Sequence, residues 1–108
     1  MSQYDPFQGF AVTVAAAGTA IELNPQPYGN TRSLLVYNPS ANDVYLRWQS
    51  SNAAIPSTQC VFVAAGASVD LFLGPESQRP SAGSNTLWAD ASAGGTTFYV
   101  TYTNGADF

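Results

Sequence analysis

The chain has 108 residues, 9% of them charged, a formal net charge of −4, one cysteine, no histidine and no lysine. That inventory excludes an internal disulfide, a histidine-based triad or zinc site, and Schiff-base chemistry. Three basic residues are too few to neutralise a nucleic-acid backbone or to make a polybasic membrane patch, so neither partner is expected.

A chain of this length reads as one domain, able to bury roughly 60–70% of the surface that it exposes when unfolded. The opening MSQYDPFQGF lacks a basic start and an apolar core segment, so no secretion signal is expected. Residues 1–9 read as an N-terminal arm bearing Tyr4 and Phe7, stiffened by Pro6, ahead of a domain over 10–108. From there the period is two. FAVTV sets Phe10, Val12 and Val14 on one face, and TAIEL sets Ile21 and Leu23 against Glu22. SLLVY is continuously apolar and reads as a strand covered on both faces. VYLRW separates Val44, Leu46 and Trp48 from Tyr45 and Arg47. QSSNAAIPSTQ reads as a polar loop, and CVFVA as a second continuous strand, with Cys60 a small buried hydrophobe. SVDLFL separates Val69, Leu71 and Leu73 from Ser68, Asp70 and Phe72. GPESQRPSAGSN is the longest loop, NTLWAD a short strand, and TTFYVTYT sets Phe98, Val100 and Tyr102 inward.

Turn residues punctuate these runs at Gly18, 25–30, 38–43, Gly66, 74–75, 80–84 and 94–95. Glycine and asparagine there supply positive φ, and proline stays out of central strands. About eight short alternating strands and no amphipathic helix predict an all-β antiparallel sandwich, jelly-roll-like. The expected core is Phe10, Ile21, Leu34, Val36, Val44, Leu46, Trp48, Val69, Leu71, Phe98 and Val100.

Nothing in the sequence predicts an enzyme, a cofactor or a metal site. The seven acids are scattered. Glu22 and Asp70 occupy solvated strand positions, while Asp43 and Asp90 sit at turn edges, where short acids accept backbone N–H bonds. The aromatics are more telling. By parity Tyr45, Phe72, Trp88 and Tyr99 face away from the core. Outward aromatics on a sheet serve a subunit interface, lie under a loop as a satellite core, or stack on sugars. The interface comes first, which makes Tyr4, Phe7, Tyr45, Arg47, Phe72, Trp88 and Tyr99 the candidate contact set.

The succession TRSLLVYNPSANDVYLRW, FVAAGASVDLFL and NTLWADASAGGTTFYVTYTNG resembles small β-sandwich structural proteins of tailed bacteriophages. The shared features are an N-x-S-A-N turn leading into V-Y-L, a strand introduced by A-A-G-x-S, an L-W-A strand and a last hairpin. They span residues 18–104. The resemblance implies a minor virion protein that decorates and cements the outer capsid surface, made in the bacterial cytoplasm. Its partners would be the major capsid protein and further copies of itself, as a trimer or dimer, with Tyr45 and Arg47 available to a neighbour. A carbohydrate-binding or host-recognition module of a phage tail or fibre is the alternative.

Overall fold

The structure, a computed structural model, describes residues 7–24, 26, 31–72 and 86–104. These form eight strands: β1 Phe7–Val14, β2 Ile21–Glu22, β3 Thr31–Tyr37, β4 Val44–Gln49, β5 Val61–Val63, β6 Ser68–Phe72, β7 Thr86–Ala91 and β8 Thr96–Asn104. They build two four-stranded antiparallel sheets, β1-β8-β3-β6 and β2-β7-β4-β5. The fold is thus the all-β sandwich that the alternating pattern demands. Its pairing is nested: β1 with β8, β2 with β7, β3 with β6 and β4 with β5. A long antiparallel hairpin rolled into two sheets has this order.

Parity decides what each sheet buries. On the first sheet Val12 faces Phe98, Val36 faces Val100 and Leu34 faces Tyr102, all on the inner side. On the second, Val44, Leu46, Val63, Leu87 and Ala89 close the same cluster. Every residue expected in the core lies in it or packs against it, Phe10, Ile21, Trp48, Val69 and Leu71 being the partly buried ones. Each buried aliphatic or aromatic side chain contributes about 1.5–3 kcal/mol relative to exposure.

β3 and β5 depart from the sequence reading. SLLVY is covered on one face only, with Leu35 and Tyr37 exposed, and Phe62 of β5 is exposed as well. A continuous apolar run does not show whether a second layer exists to cover it. The turns also differ in mechanism. Among the described residues positive φ is confined to Gly18, Gly66 and Gly95. The turn asparagines act through their amides instead. The carboxamide of Asn38, fully buried, donates to the carbonyls of Asn42 (2.7 Å) and Val63 (3.1 Å) and accepts from the Ser40 amide and hydroxyl. Its backbone N–H and C=O pair with Ala67 and Gly66. One residue so ties the β3–β4 turn to the β5–β6 turn.

β1 starts at Phe7, with Phe7, Gln8 and Gly9 opposite Thr103, Tyr102 and Thr101. Three positions that the sequence reading places in the arm therefore belong to a sheet edge. Tyr4 lies outside the described residues, as do Leu73 and the loop 74–85. The polar loop after β4 is not a loose connection, because Ile55 is buried and Ala20 N–H bonds the carbonyl of Asn52.

Candidate functional site

The two outer faces of the sandwich carry different chemistry. On the first sheet Tyr37 and Tyr99 are direct cross-strand partners, and Leu35 and Phe72 lie on the same face. Exposure is 48% for Tyr37, 47% for Tyr99, 43% for Leu35 and 75% for Phe72. Hydroxyl side chains share the face: Thr13 and Thr97 bond at 2.9 Å in the row beyond Tyr37 and Tyr99, and Ser33 bonds Thr103 in the row of Phe72. Asp70 is the one charged residue among the described positions of this face. Edge strand β1, FQGFAVTV, is uncharged and proline-free along its whole length.

The outer face of the second sheet holds a row across three strands: Glu22 on β2, Trp88 on β7 and Arg47 on β4. Trp88 Nε1–H donates to Thr86 Oγ1 at 2.9 Å, and the Thr86 hydroxyl donates to Glu22 Oε2 at 2.7 Å. In the next row the rings of Tyr45 and Phe62 pack at 5.6 Å with a 34° tilt. Burial, followed by the charges of Asp43, Cys60 and Asp90, raises the Tyr45 phenol above its ordinary value. Burial also raises the Cys60 thiol, outweighing the Leu46 backbone bond and the Arg47 charge that act against it. Cys60 is half-buried, not fully inside as its sequence context suggests, and its Sγ–H points at the Ser57 carbonyl. A thiol held protonated is a poor nucleophile.

The candidate contact set is therefore not one surface. Tyr99 and Phe72 lie on one outer face, while Tyr45, Arg47 and Trp88 lie on the other. Phe7 is placed only as a β1 edge position, and Tyr4 falls outside the described residues. Tyr37 and Leu35, missing from that set, complete the exposed patch. Strict alternation from buried Leu34 and Val36 is the signal that finds them.

Two of the acids, Asp43 and Asp90, are structural. Asp90 is buried on the second sheet's outer side; its Oδ1 accepts from Gly18 and Ala91 N–H, and its Oδ2 from Ile55 N–H. Asp43 accepts from Ala65 N–H. Both accept backbone N–H bonds, but chiefly from partners distant in the chain, and Asp90 lies within β7 and not at a turn edge as the sequence reading has it. No group of three or more metal-ligating side chains occurs among the described residues. Comparisons with protein-family models, with curated proteins and with solved structures found no match.

Proposed function

We propose that this chain is a structural protein that assembles onto a larger particle through the outer face of the β1-β8-β3-β6 sheet, and that the particle is a phage head which it decorates and cements. The observation that carries the reading is the exposed set Leu35, Tyr37, Phe72 and Tyr99 on a face with a single described charge. Contiguous exposed apolar surface of this kind marks protein contact, and interface cores are rich in aromatics and poor in charge. The hydroxyl-lined remainder of the face is neutral and is desolvated at lower cost than charges. The uncharged β1 edge supports self-association, since among the described residues β1 pairs on one side only and its other side offers a ladder to a neighbouring copy. The capsid part of the reading rests on the resemblance over residues 18–104.

The test is mass spectrometry and immunogold labelling of purified particles. The chain should be present in a copy number comparable to the major capsid protein, with label over the head. Label confined to the tail, in few copies, overturns the reading.

A further inference from the structure

The row Glu22–Trp88–Arg47 has a chemistry that assembly does not use. Both charged residues are the cross-strand partners of Trp88, so the indole stands between a carboxylate and a guanidinium set about 10 Å apart at the backbone. Among the described residues neither charge has an ion-pair partner. The indole is fixed: its one donor is spent on Thr86, whose own proton is spent on Glu22 Oε2. What remains is the part-exposed indole ring of Trp88, the second oxygen of Glu22 and the guanidinium donors of Arg47. Arg47 and Trp88 are half-buried and Glu22 is exposed.

We propose that this row is a binding site for a neutral oligosaccharide. An ionised carboxylate only accepts hydrogen bonds and a guanidinium only donates them. A ligand spanning both must donate at one end and accept at the other. Between the ends it must present an apolar face to the indole. Opposite charges on the two sides disfavour a net-charged ligand. A pyranose meets each condition: its hydroxyls donate and accept, two adjacent ones match the guanidinium fork, and its C–H face is apolar. The tilted Tyr45–Phe62 pair in the next row extends the aromatic strip for a second sugar unit, Phe62 being exposed. The proposal does not depend on the capsid reading, whose surface is the opposite face.

The experiment is a titration of the ¹⁵N-labelled protein, following its indole N–H signals, with maltotriose, cellotriose, chitotriose and, separately, the zwitterion glycylglycine. Trp88→Phe identifies the Trp88 signal. We expect a saturable shift of that signal with at least one of the trisaccharides and none with glycylglycine. Arg47→Gln and Glu22→Gln should each weaken binding by about tenfold or more, as loss of a charge-assisted hydrogen bond does. Both substitutions are at the surface, so retained folding keeps the comparison valid where Trp88→Ala fails to fold. Tyr37→Ser with Tyr99→Ser should leave the titration unchanged. Absence of saturation with every trisaccharide, saturation by glycylglycine, or affinity unaltered by both charge substitutions overturns the proposal.

Discussion

Tyr37 of β3 and Tyr99 of β8 stand directly opposite each other on the outer face of the first sheet, each about half exposed. A cross-strand aromatic pair contributes roughly 0.2–1 kcal/mol to a sheet. An interface anchored on the same rings loses far more when they are removed. Tyr37→Ser with Tyr99→Ser should therefore lower the unfolding temperature only slightly while abolishing self-association and particle binding. Calorimetry and light scattering at high micromolar concentration measure both. A double variant that associates like the parent would detach assembly from this face.

Asn38 supplies a second test, on the fold. Its amide donates to carbonyls of the β3–β4 and β5–β6 turns, and its oxygen accepts twice from Ser40. Asn38→Asp puts a charged acceptor against those carbonyls in a fully buried site. Each unsatisfied buried group costs about 1–3 kcal/mol. The variant should be destabilised by several kcal/mol in urea, and more than Asn38→Ala. Equal stability of the aspartate variant and the parent would mean that the side-chain bonds are not formed.

The difference between β1 and β3 shows what the sequence makes legible. In FAVTV large apolar residues alternate with the small Ala11 and the polar Thr13, so the inward set Phe10, Val12 and Val14 is read directly. In SLLVY both faces are apolar, and only the three-dimensional layer count reveals that Leu35 and Tyr37 have no cover. The contact set suffers from the same ambiguity. Parity places Tyr45 and Tyr99 outside their strands, yet it cannot tell which sheet each strand joins. That assignment is made by long-range pairing, β4 with β7 and β8 with β1. The Trp88–Thr86–Glu22 relay is invisible for the same reason, because Thr86 and Glu22 are 64 residues apart. The acids are legible only in part: Asp43 and Asp90 do accept backbone N–H bonds, but from Ala65 and Ile55, 22 and 35 residues away, and Asp90 lies buried within β7, not at a turn edge.

Asp90 fastens the loop after β4. Three backbone N–H groups, from Gly18, Ile55 and Ala91, converge on its carboxylate. Hydrogen bonds to charged groups are worth about 1.5–3 kcal/mol each, and Asp90→Asn turns one acceptor into a donor facing an N–H. The expected outcome is a loss of roughly 2–4 kcal/mol, with the Ile55 amide exchanging far faster with solvent than in the parent. Unchanged protection of Ile55 would show that the loop is held by its other contacts, the burial of Ile55 and the Ala20–Asn52 backbone bond.

The last prediction is alkaline destabilisation centred on Tyr45 and Cys60. Both groups have folded pKa values raised above their ordinary values of 10.0 and 9.0, in each case chiefly by burial. Their anions also repel each other, since the Cys60 charge is among the causes at Tyr45. A raised pKa means that the folded state keeps a proton that the unfolded state has already released. In that window the unfolded chain binds fewer protons, so stability falls as pH rises. The contribution is fully present well below pH 9.0, where both states are protonated, and is lost as pH climbs from the unfolded values through the raised folded ones. Tyr45→Phe removes one ionisation and Cys60→Ser the other. Unfolding temperature measured between about pH 8 and pH 11 should fall for the parent and fall less steeply for each variant, least of all for the double variant. The variants and the parent should differ little in slope below pH 8, where neither group titrates in either state. Parallel curves for the parent and the double variant over the whole range would show that the loss comes from other groups.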